Sequence, residues 1–379
     1  MKTDYCIKQI KEICRKGSSN VAQKDLIGND GEYPIYGASG LIKKVNFYQQ
    51  DDPCIGLVKD GSIGKVFLLP PKSSVISTMQ YIFPNEGYSL NYLLYCLQSL
   101  DFSKYKVGSV IPHIYFRDYG EEKVRVACNI SEQNKIVDFL NSEFQRIDIV
   151  KNNAERNLKN AQNLFYSLCE KTFSEIDAPS VSVSSIAKVT SGYAFKSSSF
   201  KPSGKYQVIR IGNVKQNQLR LSSSPVFIDE QNESVISKSV LKVGDIVVTQ
   251  TGTKNKMDYG FVALVTTDGL LLNQRVARIR FTSGISVAKW FLYYSFTNAY
   301  KKQFFAHEGG TVGQGNVGIG ALTGMCFPLP DNDSINSAIM ALDRLNDKCR
   351  TLQEEYVQTI ALCDELKQSL LKKAFKGEL

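Results

Sequence analysis

Glycine-rich stretches are the first places in this chain where nucleotide chemistry could occur. Gly313, Gly315 and Gly318 have the G-x-G-x-x-G spacing that holds a pyrophosphate between a strand and a helix. His307 and neighbouring glycines precede them instead of an apolar strand, and no convincing helical pattern follows. The stretch 61–65 (Gly-Ser-Ile-Gly-Lys) resembles a phosphate loop but lacks its spacing and the following Ser or Thr. We interpret both stretches as Gly-rich loops.

The chain also has few residues suited to acid–base catalysis or metal binding. The chain has two histidines, His113 and His307, neither near an obvious nucleophile, and nine cysteines without Cys-x-x-Cys spacing. The Asn-Pro-Pro-Tyr or Asp-Pro-Pro-Tyr motif of amino-methyltransferases is missing, as is the Pro-Asp…Asp/Glu-x-Lys cluster of many nucleases. We therefore predict no catalytic residue, no metal site and no cofactor in this chain. The cysteines are interpreted as reduced, mostly structural thiols.

The charge of the chain is unevenly distributed. Residues 177–330 contain 17 Lys and Arg against 8 Asp and Glu, and residues 1–130 contain 16 against 13. Residues 131–176 and 331–379 are slightly acidic, with 6 against 7 and 7 against 9. Basic surfaces suit DNA phosphates, because their neutralisation releases counterions and supplies most non-specific affinity. For residues 1–130 alone, a solvated surface explains the small excess equally well.

The composition is that of a globular protein. With 379 residues and 43% hydrophobic residues, the chain suits two to four structural units. It has no run of eighteen apolar residues, and the N-terminus lacks the apolar stretch of a signal peptide. We expect a cytoplasmic protein that does not contact the membrane.

Two copies of one plan follow each other along the chain. Gly108-Ser109-Val110 and Gly310-Thr311-Val312 lie 202 residues apart. The same offset relates Leu140/Leu342, Val150/Leu352, Leu168/Leu370 and Phe173/Phe375. Upstream the offset shrinks, with the pairs Leu93/Phe291 at 198, Ile55/Ile246 at 191 and Ile10/Ile186 at 176. About 26 extra residues are therefore expected in surface loops of the second copy, where loops carry specificity.

Each copy ends in a long amphipathic stretch. Apolar residues recur every three or four positions, which predicts helices over residues 131–176 and 331–379, each about 65 Å long. Ser131 and Asp333 are plausible starts. Each helix needs a partner for its apolar seam. Antiparallel pairing within the chain is the simplest arrangement, and pairing between two molecules is the alternative. The seam positions are Ile136, Leu140, Phe144, Ile147, Val150, Ala154, Leu158, Ala161, Phe165 and Leu168, then Ile335, Ile339, Leu342, Leu345, Cys349, Leu352, Tyr356, Ile360, Cys363, Leu366 and Leu370.

The two segments before the helices, 1–130 and 177–330, are predicted to be mixed α/β domains in which strands prevail. Short β-rich runs occur in Pro53–Leu69 and Asp245–Val265, and short apolar helices are indicated at Leu90–Leu100 and Ala288–Ala299. The predicted fold class is α+β. Two mixed α/β domains are separated by two long antiparallel coiled-coil helices in a pseudo-twofold internal repeat.

The C-terminal stretch 366–379 resembles the ending of type I restriction-modification specificity (S) subunits. Three internal stretches are similar to the target recognition domains of that family: 33–37 (Tyr-Pro-Ile-Tyr-Gly), 111–116 (Ile-Pro-His-Ile-Tyr-Phe) and 208–213 (Val-Ile-Arg-Ile-Gly-Asn). The resemblance covers essentially the whole chain. The Pro-Leu-x-Glu-Gln that commonly introduces each family helix survives only as Ile130-Ser131-Glu132-Gln133 in the first copy. In the second copy it becomes Leu329-Pro330-Asp331-Asn332-Asp333-Ser334.

The resemblance implies that each domain is a target recognition domain reading one half of a split double-stranded DNA sequence. The helices would set the unread spacer and dock two adenine-N6 methyltransferase (M) subunits. S-adenosylmethionine, ATP and Mg would be bound by partner subunits, which include restriction (R) subunits in a restricting complex. A coiled-coil adaptor without DNA, and a stand-alone nuclease or methyltransferase, are the other hypotheses.

Polar and cationic residues in Gly-rich loops are the candidate DNA contacts, because such loops on a rigid sheet can enter a groove. In the first domain these are Tyr36, Ser39, Lys43, Lys44, Lys59, Lys65, Ser109 and His113. In the second domain they are Lys196, Arg210, Asn213, Lys215, Gln250, Lys254, Asn255, Lys256 and Gln314.

Overall fold

A computed structural model of the chain describes residues 4–311 and 313–379, and the side chain of Asn255 lies outside what it describes. The chain divides into two compact units. Unit 1 is Met1–Arg156 with Tyr356–Leu379, and unit 2 is Asn157–Glu355. Both long helices contribute to both units, so this division cuts across the four segments drawn from the sequence. In the part of the chain that is described, no helix is long and apolar enough to span a membrane.

From residue 4 to the end of the first long helix, the structure describes nine strands and four α-helices. In chain order they are β1 (Tyr5–Gln9), α1 (Ile10–Ile13), β2 (Cys14–Ser18), β3 (Tyr33–Gly37), β4 (Gly40–Val45), β5 (Cys54–Val58), β6 (Val66–Leu69), β7 (Ser74–Val75), β8 (Met79–Pro84), α2 (Leu90–Gln98), α3 (Phe116–Tyr119), β9 (Lys123–Ala127) and α4 (Ile130–Glu175).

In the described part of the second half, residue 312 excepted, there are fourteen strands and six α-helices. They are β10 (Ser180–Ser182), α5 (Val183–Ile186), β11 (Ala187–Ser191), β12 (Tyr206–Ile209), β13 (Val214–Lys215), β14 (Gln218–Leu219), β15 (Phe227–Ile228), α6 (Glu233–Ser239), β16 (Ile246–Thr249), β17 (Thr251–Thr253), β18 (Val262–Leu264), β19 (Leu270–Leu272), β20 (Val276–Phe281), α7 (Ile285–Tyr294), α8 (Asn298–Phe305), β21 (Glu308–Gly309), β22 (Gln314–Val317), α9 (Ile319–Thr323), β23 (Cys326–Pro328) and α10 (Asn332–Ala374).

The sheets confirm the internal repeat. A four-stranded sheet has the order β2-β8-β5-β6 in the first half and β11-β20-β16-β18 in the second. A three-stranded sheet has the order β4-β3-β7 in the first half and β15-β12-β19 in the second. The registers match as well, since Ile55 pairs with Ile82 and Ile246 pairs with Ile279. Ile55 and Ile246, which lie 191 residues apart, therefore occupy equivalent positions in the two copies.

One predicted repeat pair was wrong. Ile10 and Val183 each begin a four-residue helix, each is fully buried, and each accepts the backbone bond from the residue after that helix. Ile10 is therefore equivalent to Val183, at an offset of 173, and not to Ile186. A single apolar residue in a short element has no flanking pattern, so its register could not be fixed from the sequence.

The extra residues of the second copy lie mainly between β12 and β16. The two-residue turn between β3 and β4 becomes a segment that contains the β13–β14 hairpin, and α6 is added before β16. Strands β17, β22 and β21 form a small sheet whose counterpart in the first copy is only the bridges from His113 to Asp60 and Val107. Insertion into loops leaves the shared scaffold intact.

The N-caps of both long helices lie two residues before the predicted starts, Ser131 and Asp333. The Asn129 side chain accepts a hydrogen bond from the Glu132 amide (2.9 Å), and Asp331 accepts one from the Ser334 amide (2.9 Å). Asn129 and Asp331 are therefore the N-caps, rather than Ser131 and Asp333. The two caps lie 202 residues apart, which extends the repeat to the helix entries.

The two helices contact each other in both units, and the contacts in unit 1 show that they run antiparallel there. In unit 1, the Lys151 ammonium lies 2.6 Å from the Asp364 carboxylate and that of Lys367 lies 2.6 Å from Asp148. The residue numbers rise along α4 while they fall along α10. In unit 2, Phe165 and Cys349 share one buried cluster.

Not every predicted seam position faces a partner. Val150 and Leu366 are half exposed, and Leu352 is 37% exposed. The positions that are buried include Leu140, Ile147, Ala154 and Ala161, a strict seven-residue repeat, and in α10 Leu342, Cys349 and Cys363 lie in the same register. The seam is therefore narrower than the apolar pattern indicated, because some apolar positions lie on another face.

Candidate nucleic-acid interface

In the second domain, several strands end on the same side of the four-stranded sheet. We call this end of the strands the edge of the sheet. The Tyr193 amide donates to the Leu272 carbonyl, the Asn273 amide to that of Ile209, and the Gln250 amide to that of Arg275 (2.9 to 3.0 Å). Gly192 fits here because a Cβ would lie 2.0 Å from the Asn273 carbonyl oxygen. These bonds hold the segments after β11, β12 and β16 together, so loops distant in sequence form one surface.

Asn213 anchors the loop that follows β12. Its side-chain oxygen accepts from the Arg210 amide (3.0 Å), and its NH₂ group donates to the carbonyls of Arg220 (3.1 Å) and Ser223 (2.9 Å). Both amide hydrogens are used and the residue is 2% exposed. The structure therefore places Asn213 as a support for the loop, and we remove it from the candidate base contacts.

Arg210 and Arg275 line one cleft of about 630 Å³ at this edge, together with Ile211, Gly212, Asn213, Ser223, Ser224, Asn273 and Gln274. A terminal nitrogen of Arg210 donates to the Ser224 carbonyl (2.6 Å), and its guanidinium lies over the Phe200 ring. The Arg210 Nε and the Asn273 Oδ1 are buried without a partner among the described residues. Two residues that line the cleft therefore each contain a buried polar atom that the protein itself does not satisfy.

A second group of candidates lies on the small sheet of β17, β22 and β21. Thr253 pairs with Gln314, and the Lys254 amide donates to the Gly313 carbonyl (3.3 Å). Lys254, Lys256 and Gln314 are exposed there. Most of the G-x-G-x-x-G stretch is therefore strand β22 and not the loop we expected. Its Gly315 packs against Tyr259, where a Cβ would clash.

The remaining candidates of the second domain are placed less uniformly. Gln250 is buried and donates to the Val317 carbonyl (3.1 Å), so it connects the two groups instead of facing solvent. Lys215 lies beside the Phe261 ring, and Lys196 is exposed in the segment that follows Tyr193. The Asn255 side chain lies outside the described residues.

The first domain has the equivalent edge. The amides of Lys59 and Asp60 donate to the Thr78 carbonyl, the Gly61 amide to that of Pro112, and the Ile114 amide to that of Lys59. His113 Nδ1 lies 2.8 Å from the Asp60 carboxylate. The predicted residues Lys59 and His113 are therefore neighbours, and His113 has a structural partner.

The turn between β3 and β4 joins this surface through Lys65. The Lys65 ammonium donates to the Ala38 carbonyl (3.3 Å), next to the exposed Ser39. Tyr36 lies at the same end of β3 and is partly buried. Ser109 is exposed in the loop between Val107 and His113, which are paired by backbone hydrogen bonds.

Lys43 and Lys44 do not belong to this group. They pair with Ile35 and Pro34, toward the other end of β3, and Lys43 forms an ion pair with Asp30 (2.6 Å). Both lysines are close in sequence to the β3–β4 turn, which suggested a shared surface. Because β4 runs away from this turn, the two lysines lie farther along the strand and not at that surface.

Sequence reasoning missed Arg275 and Tyr193. Both are exposed at the edge of the second domain, and Arg275 has a left-handed backbone (φ +68°). The only available signal was the Asn-Gln-Arg stretch between two apolar strands. In residues 4–311 and 313–379, no group of three or more His, Cys, Asp or Glu is placed to hold a metal ion.

The comparison with known families decides the identity of this scaffold. The model of the type I restriction modification DNA specificity domain matches residues 2–160 and 176–358. The chain belongs to the type I restriction-modification specificity subunit family. It has two target recognition domains, as the repeated sheets indicate. No curated protein matches the chain by sequence.

Solved structures of specificity subunits share the fold. A chain in a structure concerning complex assembly and conformational transition of the type I R-M system is 14% identical, with 100% of both chains covered and a TM-score of 0.73. The HsdS subunit from Thermoanaerobacter tengcongensis is 14% identical over 99% of this chain and 97% of that chain, with a TM-score of 0.51.

Proposed function

We propose that the two recognition domains, residues 1–130 and 177–330, each read one half of a bipartite asymmetric DNA target. The helices over 131–176 and 331–379 set the unread spacer and dock two methyltransferase subunits. The chain itself performs no chemistry. S-adenosylmethionine, ATP and Mg²⁺ are bound by the partner subunits.

The observation that supports this proposal is the surface that loops form at the edge of the sheet in each domain. In both domains the same backbone bonds bring loops to one surface, and most of the cationic candidates lie there. The side chains differ between the two copies while the frame is shared. A shared frame with different polar groups suits two domains that read different half-sites.

Exposed apolar residues on the long helices support a protein-docking role. Val150 and Leu352 are repeat-equivalent, as are Leu164 and Leu366, and all four are at least 37% exposed. Large apolar side chains at equivalent exposed positions suit two copies of one partner. The slight acidity of both helices favours a protein over DNA as the occupant of these faces.

The decisive experiment is a methylome. Modified adenines are sequenced in a host that expresses this chain with its cognate methyltransferase subunit, and in a host that lacks only this chain. A split motif that appears only with the chain supports the proposal, and its gap measures the spacer. Absence of any motif, with a soluble methyltransferase present, contradicts it.

A coiled-coil adaptor without DNA is the second candidate function, because the exposed helix positions alone would suit it. Salt-sensitive DNA binding by the assembled complex separates the two functions. A reader loses affinity steeply as salt rises, since it releases counterions, whereas an adaptor shows no specific binding.

A further inference from the structure

The cleft between Arg210 and Arg275 is the part of the second domain whose polar groups are least explained by folding. The Arg210 Nε and Asn273 Oδ1 are buried without partners, although buried polar groups in proteins are nearly always satisfied. Both atoms belong to residues that line this cleft. Folding therefore leaves two polar atoms of cleft-lining residues unsatisfied.

Arg275 lines the same cleft and has an unusual backbone. Its φ of +68° is in the left-handed region, which large side chains rarely adopt. The Gln250 amide holds this conformation through its bond to the Arg275 carbonyl (2.9 Å). The Arg275 side chain is exposed, and its guanidinium has no partner among the described residues. The fold thus fixes the backbone of Arg275 while leaving all its donors free.

The first domain shows that this arginine is not required by the scaffold. The Ile76 amide bonds to the Tyr36 carbonyl as the Asn273 amide bonds to that of Ile209. The Lys59 amide bonds to the Thr78 carbonyl as that of Gln250 bonds to Arg275. Thr78 is therefore the equivalent of Arg275, and Ile76 is the equivalent of Asn273. At this equivalent position the first domain has the hydroxyl of Thr78 and the second domain has the guanidinium of Arg275.

We propose that Arg275 is a specificity-determining residue that reads a guanine in the half-site of the second domain. This rests on the proposed function, in which that domain binds DNA. A free guanidinium on a fixed backbone can donate two parallel hydrogen bonds to guanine O6 and N7, which no other base accepts in this way. Arg210, tethered to the Ser224 carbonyl, forms the wall of the cleft and positions the loop beside the base.

The test compares methylomes directed by the wild-type chain and by Arg275→Ala and Arg275→Lys, each with the methyltransferase subunit. Lys242→Ala is the matched control, because Lys242 is exposed at the opposite end of β16 and its loss removes the same charge. We expect Arg275→Ala to lose discrimination for guanine at one position by about 10- to 100-fold, the range that one bidentate contact supplies. Arg275→Lys should lose part of this discrimination, because an ammonium can donate to O6 or N7 but lacks the planar fork of the guanidinium. The other half-site and the control keep the wild-type motif.

Lysine separates base reading from phosphate contact. If Arg275 only contacts a phosphate, Arg275→Lys keeps the motif and Arg275→Ala lowers methylation equally at all sites, and the proposal fails. An unchanged motif in both variants also overturns it, while the reader function stands. A wild-type chain that directs no split motif overturns the proposed function itself. If Arg275→Ala does not accumulate as a soluble protein, Arg275→Gln decides the outcome, because it removes the guanidinium while keeping a polar side chain.

Discussion

Replacing Asn213 with alanine should destabilise the second unit and disorder its recognition loop. The substitution removes three hydrogen bonds to backbone groups of Arg210, Arg220 and Ser223, in a site that is 2% exposed. At about 1 kcal/mol for each bond, the expected loss in the free energy of unfolding is about 3 kcal/mol. With a urea m-value of about 3 kcal/mol per molar, the midpoint falls by about 1 M.

The single tryptophan supplies the assay. Trp290 is fully buried in the core of unit 2, so its fluorescence reports the unfolding of that unit. Strand β16 couples Trp290 to the loop. Its Val247 packs with Val214, while Val248 on the other face packs in the cluster of Trp290. Loss of the loop anchor should therefore lower the urea midpoint of the Trp290 signal.

Gln133→Ala is the matched control in unit 1. Gln133 is also a buried amide with three bonds to backbone groups, those of Ser89 (2.9 Å), Gly87 (2.9 Å) and Ala127 (3.3 Å). It should leave the Trp290 transition in place. A shift of the midpoint below about 0.3 M in Asn213→Ala would refute the reasoning. The loss of three buried hydrogen bonds should cost more free energy of unfolding than the loss of a surface contact.

Three further predictions concern binding, thiol reactivity and a helix cap. Arg210→Ala should weaken DNA binding of the assembled complex and relax the same half-site as Arg275→Ala, and unchanged affinity and motif would remove Arg210 from the interface. Iodoacetamide at pH 8 should alkylate the exposed Cys326 at least about tenfold faster than Cys14, since burial raises the pKa of the Cys14 thiol to about 12. Mass spectrometry of the peptides gives both rates, and equal rates would contradict the buried position of Cys14. Hydrogen bonds from the Ser334 amide and hydroxyl hold the pKa of Asp331 below its ordinary value, so the cap stabilises α10 at neutral pH and is lost as the pH falls through the lowered pKa. Carboxyl titration by NMR should give a midpoint below the ~3.9 of an unfolded Asp, and a higher midpoint would contradict the cap.

The repeat was visible in the sequence because helical periodicity is local. Leu140 and Leu342 lie in long stretches where many apolar positions fix the register together, and both are buried as expected. Ile10 had no such context, and its partner was misplaced by three residues. The narrowness of the seam could not be predicted either, since Val150 has the apolar character of a seam residue and differs only in the face it occupies.

The candidate site was predictable by residue type but not by placement. Arg210, Lys254 and Gln314 lie at the edge of the second sheet, as Gly-rich loops near strand ends suggested. Asn213 and Gln250 have the same polar character, yet their amide groups are used inside the domain. Only the hydrogen-bond partners of a side chain distinguish a reader from an anchor, and these partners lie far away in sequence.

The sequence by itself determined the duplication, the two long helices, the basic second domain and the lack of recognisable catalytic motifs. These features depend on composition and on short-range periodicity, which are properties of the chain before it folds. The tertiary structure alone decided which polar residues share a surface, and it brought Arg275 beside Arg210 across 65 positions of sequence. Strand pairing does this, because backbone hydrogen bonds between distant segments set the geometry of a site without leaving a pattern in the residues they join.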